Sequence, residues 1–219
     1  NFTTATNTYN VAVGFNAGVS VSTGTNNTAV GGLSLDANTT ASNNTAVGYG
    51  SLGANTTADN NTAVGKDALL VNTTGTRNAA LGTFALDSNT TASDNTGLGY
   101  GALATNSTGA ENVAIGSSAL VDATTADHNV AIGHKAGENI TTGANNVVIG
   151  ESVAGALTTG SDNTIIGYVS CVHDVNLTTG SNNVVVGQYS DVSGADVSNE
   201  VIVGNNLTGK GADTGFIGG

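Results

Sequence analysis

Asparagine side chains recur at a fixed spacing of 17 residues along most of this chain. An amide side chain carries hydrogen-bond donors and an acceptor, so aligned copies can bond to one another or to the backbone. We therefore predict an asparagine ladder, whose members lie in successive structural units and satisfy polar groups at an inward turn. The predicted members are Asn10, Asn27, Asn44, Asn61, Asn78, Asn95, Asn112, Asn129, Asn146, Asn163 and Asn183.

Other asparagines stand in the motif N-x-[ST], the acceptor for N-linked glycans. The candidate acceptors are Asn38, Asn55, Asn72, Asn89, Asn106, Asn139, Asn176 and Asn206, with further copies of the motif at Asn1, Asn26, Asn43 and Asn60. A turn rich in Asn and Thr also produces this motif by coincidence. Both a glycan-coated filament and an unmodified one are therefore open interpretations.

Catalytic and metal-binding patterns are not evident in the sequence. His128, His134 and His173 fall in different repeats, and a single cysteine, Cys171, excludes an internal disulfide framework. No phosphate-binding G-K-[ST] loop occurs, and hydroxyl residues are too common to define a catalytic triad. We expect a chain that is not an enzyme and that has no cofactor or metal.

The charge and hydrophobicity of the chain limit the classes of molecule that it is expected to bind. The 219 residues include only four Lys and Arg, and the formal net charge of −12 disfavours nucleic acid and anionic membranes. No apolar run approaches the ~20 residues of a membrane-spanning helix, so no direct membrane insertion is expected. The chain begins in repeat-like sequence without an initiator Met, which suggests a processed product or a piece of a longer protein.

A glycine that follows a small apolar pair marks the repeat. It recurs every 17 residues from Gly14 to Gly167, and then at Gly187, Gly204 and Gly218. Seventeen residues are too few for a helical repeat but suit one coil of a β-solenoid. We predict an all-β, parallel β-solenoid with one coil per repeat, about 4.8 Å between coils and a rod of roughly 60 Å.

Each coil is predicted to contain two strands and two turns. The first strand is N-T/V-A-V/I-G, whose β-branched residues fit a pleated surface, and its glycine permits a sharp corner. A second, weaker strand is centred on the recurring A-L pair, and N-T-T-G/A forms a turn. We divide the chain into regular coils over 1–167, a coil with a three-residue insertion over 168–187, and irregular coils over 188–219.

The insertion is a candidate binding loop, because insertions in solenoids bulge from one face. Its residues are Cys171, Val172, His173 and Asp174. A tolerated surface loop without a ligand is the alternative.

The first strand also bears on the oligomeric state. Its Val/Ile and Thr/Val columns share one face, its Ala column lies on the other, and both faces are largely apolar. One face can fill the coil, and the other needs a partner. We therefore predict a symmetric homo-oligomer, a trimer, with a head-to-tail filament as a second form of self-association.

The repeat resembles the heads of trimeric autotransporter adhesins (YadA-like heads). The motif appears as NNTAVG at 26–31, ENVAIG at 111–116, HNVAIG at 128–133 and NNVVIG at 145–150. The longer unit NTAVGKDALLVNTTGTR at 61–77 is similar to arrays in phage-tail-fibre-like and bacterial surface proteins. The resemblance implies a left-handed, trimeric β-roll on an extracellular fibre, at a cell surface or on a virion, without catalytic residues.

These observations predict a structural and adhesive fibre module that contacts a host-surface protein or a carbohydrate. The alternative is a self-assembling extracellular filament with a purely architectural role. Ice binding ranks third, because the Thr pairs form regular columns but fall in a predicted turn rather than on a flat T-x-T strand.

Overall fold

A computed structural model describes residues 8–218 as a single β-solenoid. Its thirteen strands are β1 (Val11–Val13), β2 (Thr28–Val30), β3 (Thr45–Val47), β4 (Thr62–Val64), β5 (Ala79–Leu81), β6 (Thr96–Leu98), β7 (Val113–Ile115), β8 (Val130–Ile132), β9 (Val147–Ile149), β10 (Thr164–Ile166), β11 (Val184–Val186), β12 (Val201–Val203) and β13 (Gly215–Ile217). The strands form one parallel sheet in sequence order. The predicted all-β, parallel solenoid with one coil per repeat is confirmed.

The register of the sheet follows the sequence columns. Ala46 faces Ala63 and Val47 faces Val64 across β3 and β4. Even across the insertion the columns stay aligned, since Ile165 of β10 pairs with Val185 of β11. Residues of the same sequence column therefore stack on one another along the whole sheet.

The predicted second strand does not form. The A-L pairs lie in turns, and the Leu backbones are left-handed, with φ of 51° at Leu69 and 54° at Leu103. These turns still stack by backbone hydrogen bonds between coils, as from Leu52 N to Ala68 O at 3.0 Å. Burial of the Leu side chain and this bond offset the usual cost of a left-handed non-glycine residue.

The glycine after each of the strands β1 to β12 makes a corner at which a Cβ would clash with the backbone of the next coil. Gly65 has φ of +137°, and a Cβ there would lie 2.5 Å from the carbonyl oxygen of Gly82. The backbones of successive coils thus touch at this column, which explains why glycine recurs there.

The interior is filled differently in the two halves of the rod. The early coils bury a column of Leu from the turns, namely Leu35, Leu52, Leu69, Leu86, Leu103 and Leu120. Gly137 replaces Leu at the next position, and a Cβ on it would meet Cδ1 of Ile140 at 2.8 Å. Ile140 therefore fills the space that the missing Leu leaves, and the strand column changes from Ala131 to Val148 and Ile165.

No helix of the described residues, 8–218, is long and apolar enough to cross a lipid bilayer.

Candidate functional site

The asparagine ladder forms a column in which Asn10 is half-buried and the members from Asn27 to Asn183 are buried. The backbone N–H of Asn44 donates to Oδ1 of Asn27 at 3.0 Å, and Nδ2 of Asn44 donates to the carbonyl of Ala58 at 2.9 Å. The same pair of bonds recurs along the column as far as Asn183. Each ladder residue therefore joins its own coil to both neighbouring coils.

The ladder ends on a carboxylate. Glu200 takes the position that follows Asn183, and it is fully buried. Its two oxygens accept backbone N–H groups of Ser193 at 2.8 Å and of Gly211 at 2.6 Å. These bonds hold the backbone at Ser193 and at Gly211 against Glu200, and the column continues with Thr214 rather than with another asparagine.

A second buried column consists of candidate glycan acceptors. Asn38, Asn55, Asn72, Asn89 and Asn106 are all 0% exposed. Nδ2 of Asn89 donates to Oδ1 of Asn72 at 2.9 Å and to the carbonyl of Ala92 at 3.0 Å. Because Nδ2 is the atom that a glycan modifies, these five residues are not accessible as glycan acceptors in the folded chain. We call them the inner asparagine column.

The other candidate acceptors lie on the surface. Asn139, Asn176 and Asn206 are exposed, as are Asn26 and Asn43. Asn60 is also exposed, whereas Asn1 lies outside the described residues. Some copies of the N-x-[ST] motif are therefore exposed in the fold, whereas others are buried and form part of its interior.

The structure resolves which face of the strand is interior. The Ala column points inward, with Ala46 and Ala63 both at 0% exposure. The first and third residues of each strand point outward and are half-buried or exposed, and Leu81 is 47% exposed. We call these two outward columns, from Val11–Val13 to Gly215–Ile217, the sheet face.

The sheet face carries no charged side chain over its thirteen strands. Its third-position column is Val, Leu or Ile throughout, and its first-position column is Thr, Val or Ala until the final Gly215. A contiguous apolar surface of this length marks an interaction site on a folded protein. It is the strongest candidate for an interface.

The candidate binding loop is placed partly as predicted. His173 and Asp174 are exposed and Val172 is half-buried, but Cys171 is fully buried in the core. Burial, with the nearby Asp191 carboxylate, raises the pKa of the Cys171 thiol far above its ordinary value. Cys171 is therefore a core residue in the column that earlier coils fill with Leu, and not a binding residue.

The loop approaches a buried carboxylate of the next coil. Backbone N–H groups of His173 and Asp174 donate to the Asp191 carboxylate at 3.2 and 2.8 Å. Donor atoms of His173, Asp174 and Asp191 lie within 4.8 Å of one another and form a set that could hold a metal ion. The sequence search missed Asp191, although aligning it on the Leu column would have singled it out as a charge at a core position.

The remaining histidines pair separately at the surface. Nε2 of His128 lies 3.3 Å from Glu111, and Nδ1 of His134 lies 3.9 Å from Glu151. As expected from their repeat positions, the three histidines are not brought together.

Charged residues form an exposed edge column that includes Asp94, Glu111, Asp162 and Asp213. Within it, Arg77 donates to both oxygens of Asp94, at 2.6 and 2.7 Å. This bidentate pair lowers the pKa of Asp94. The rest of the column is a solvated polar edge.

A shallow groove of about 480 Å³ lies on the turn side of the early coils. Tyr49 and the carboxylates of Asp36 and Asp67 line it, and Gly50 and Gly53 form part of its surface. A Cβ on Gly50 would lie 2.5 Å from Oδ1 of Asp67, so glycine at this position leaves room for the Asp67 carboxylate. An exposed aromatic ring beside carboxylates is a surface that can contact a hydroxylated ligand.

The chain matches no protein-family model, and no curated protein or solved structure matches it either. Function therefore has to be inferred from the geometry of the ladder, the sheet face and the surface features.

Proposed function

We propose that this chain is a non-enzymatic structural and adhesive module of an extracellular fibre, which associates with copies of itself through the sheet face. The observation that carries the proposal is the uncharged, apolar sheet face along all thirteen strands. Two lines of argument favour a second copy as its occupant.

The first argument is electrostatic. A chain with net charge −12 repels its own copies over most of its surface. The sheet face is free of charged side chains, so self-association there brings together no like charges. Apolar Val, Leu and Ile supply the favourable burial.

The second argument is geometric. Twelve steps of about 4.8 Å and a strand width of roughly 10 Å give the face an area of about 600 Å². The face has two outward columns, so in a trimer each column meets a different neighbour around the axis. Each chain then buries the whole face, about half of it against each neighbour, together with the side chains that flank it.

The decisive experiment is sedimentation velocity on the whole chain and on two variants. Ile132→Lys places a charge on the sheet face, whereas Thr125→Lys adds the same charge to an exposed turn of the same coil. We expect a trimer for the unmodified chain and for Thr125→Lys, and dissociation for Ile132→Lys. A monomeric unmodified chain at micromolar concentration overturns the proposal.

A head-to-tail filament is the alternative form of assembly. Strands β1 and β13 each have a neighbour on one side only, and such edges are templates for further pairing. Electron microscopy separates discrete short rods from long fibrils. The adhesive role would fall to surface features such as the Tyr49 groove, with a host-surface protein or carbohydrate as partner.

Ice binding is a third candidate that one observation favours. Thr28, Thr45 and Thr62 point outward from adjacent strands, next to the Val column. The Thr pairs, by contrast, lie in bends, and Oγ1 of Thr73 is engaged with the carbonyl of Thr90. A thermal hysteresis measurement tests this candidate, and the absence of hysteresis removes it.

A further inference from the structure

The three inserted residues lie in one short loop. In the preceding coil, the N–H of Leu157 donates to the carbonyl of Ala154, three residues earlier, at 3.1 Å. In the coil with the insertion, the equivalent bond runs from Leu177 to Cys171, six residues earlier, at 3.2 Å. The extra length sits between Cys171 and Leu177 and carries His173 and Asp174 toward Asp191.

Asp191 is a charged residue at a position of the core that other coils fill with uncharged residues. It occupies the column of Leu120 and Cys171, and it is 1% exposed. Its carboxylate accepts two backbone N–H bonds, but no Lys or Arg of residues 8–218 forms an ion pair with it. A buried carboxylate without a cation is costly, and a bound cation would remove that cost.

The donor atoms around Asp191 are spaced as metal ligands. Nδ1 of His173 lies 3.3 Å from Oδ1 of Asp174 and 3.9 Å from Oδ2 of Asp191. Ligands about 2.1 Å from one ion stand roughly 3–3.5 Å apart at tetrahedral or octahedral angles. The first of these distances already matches that spacing, and all three ligand atoms lie within 4.8 Å of one another. A movement of the exposed loop by about 1 Å brings the three atoms to the spacing of ligands around one ion.

Aromatic packing orients the imidazole. The His173 ring lies 5.1 Å from the Tyr189 ring, which in turn packs edge-on against Tyr168 at 5.4 Å. A ring held on one side presents its nitrogen to the two carboxylates. The other side of the site opens to solvent, because His173 and Asp174 are exposed, and an ion can enter there.

We propose that His173, Asp174 and Asp191 bind one divalent transition-metal ion of the Zn²⁺ class. One imidazole with two carboxylates suits such an ion, whereas Ca²⁺ prefers a shell of oxygen atoms. The remaining coordination positions take water. The ion ties the inserted loop to the next coil and neutralises the buried charge of Asp191.

The test is calorimetric titration of the whole chain with ZnCl₂, with three single variants. We expect one ion per chain, and at least a tenfold loss of affinity in His173→Ala and in Asp174→Asn. His134→Ala, which removes a surface histidine that lies near Glu151, leaves the affinity unchanged. Both loop variants alter exposed side chains, so folding is not at stake.

Thermal unfolding supplies a second measurement. Saturating Zn²⁺ raises the melting temperature of the unmodified chain and of His134→Ala, but not of His173→Ala. Equal binding by all variants, or no binding at micromolar Zn²⁺, overturns the proposal and leaves an adventitious ion only.

Discussion

The side-chain oxygen of Asn44 accepts a hydrogen bond from the backbone N–H of Asn61, one coil further along the rod, at 2.8 Å. The two residues are identical in kind and environment, so the bond can repeat without change. A buried amide is costly when unpaired and favourable when both its ends are bonded. Because every coil repeats the same bond, each buried Asn in the column has a partner, and the polar interior is stable.

Asn61→Ala tests this bond. It removes the acceptor for the N–H of Asn78 and the donor for the carbonyl of Gly75, both at 2.9 Å. The buried N–H of Asn78 loses its partner, whereas the Gly75 carbonyl keeps its bond from Nδ2 of Asn72. We therefore expect a loss of about 1–3 kcal/mol of unfolding free energy. Urea unfolding measures the loss, and Thr57→Ala, an exposed change in the same coil, is expected to shift stability by less than about 0.5 kcal/mol. Equal effects from both variants would contradict the ladder.

Ala123→Asn tests the end of the inner asparagine column. Oδ1 of Asn106 is buried and has no hydrogen-bond partner, and Ala123 occupies the next position of the column. An Asn there can donate to Oδ1 of Asn106, so we expect its unfolding free energy to stay within about 1 kcal/mol of the unmodified chain. Ala136→Asn, equally buried, has no such partner in the column and loses more than about 2 kcal/mol. The same urea experiment compares them, and similar losses would exclude an extended column.

Gly65→Ala tests the corner. The residue has φ of +137°, and its new methyl group would press on the carbonyl oxygen of Gly82. We expect a loss of about 3 kcal/mol or more, or failure to fold. Gly215→Ala is the matched control, because a Cβ there meets no atom within 4 Å. Calorimetry measures the melting temperature of both variants. A loss in Gly65→Ala alone indicates a steric clash at the corner, whereas equal losses indicate that alanine is destabilising at either glycine.

Glycan mapping tests the division between accessible and buried acceptors. After expression in a secretory host that attaches N-linked glycans, we expect occupancy only at exposed motifs, such as Asn26, Asn139, Asn176 and Asn206. Asn72 and Asn89 stay unmodified because their Nδ2 atoms donate inside the rod. Mass spectrometry of glycopeptides reports each position, and a glycan on Asn72 in folded protein would refute the assigned burial.

Cys171 predicts an alkaline limit of stability. Its pKa is raised in the folded chain, chiefly by burial, while an unfolded cysteine ionises near pH 8.5. Above that pH the unfolded chain releases the thiol proton and the folded chain keeps it, so stability falls by up to about 1.4 kcal/mol per pH unit. Cys171→Ala should show a shallower fall between pH 8.5 and 10, and the same slope as the unmodified chain below pH 8. Parallel curves at alkaline pH would argue against a buried thiol.

The coil and the ladder could be predicted because both follow from repetition. A constant interval of 17 residues fixes the register, and register alone brings Asn44 beside Asn61. The glycine corner follows from the same columns. None of these conclusions requires knowledge of how a single coil turns.

The turn at the A-L pair, where we expected a second strand, could not be predicted from the sequence. Its conformation depends on a balance between side-chain burial and backbone strain. The A-L pair suits either a short strand or a turn, and a left-handed Leu such as Leu69 is unfavourable in isolation. Only the interior of the coil, where that side chain is fully buried, favours the turn.

The burial of the inner asparagine column could have been predicted from the residues that follow it in the same column, although not from its sequence motif. Asn106 is followed in its column by Ala123, Ile140 and Leu157, and this change to apolar residues indicates a buried position. The acceptor motif N-x-[ST] instead suggested a surface. Comparing residues down a column is therefore more informative in this chain than scanning along it.

The asparagine ladder has a direction. Each Oδ1 accepts a hydrogen bond from the backbone N–H of the ladder residue one coil later, so a finished coil presents an acceptor to the part of the chain that is still to be made. A ribosome delivers the coils in that order. Coils can thus be added in the order of synthesis, each one docking on the acceptor of the coil made just before it. The run of asparagine acceptors lasts until Glu200, whose carboxylate bonds instead to the backbone N–H groups of Ser193 and Gly211.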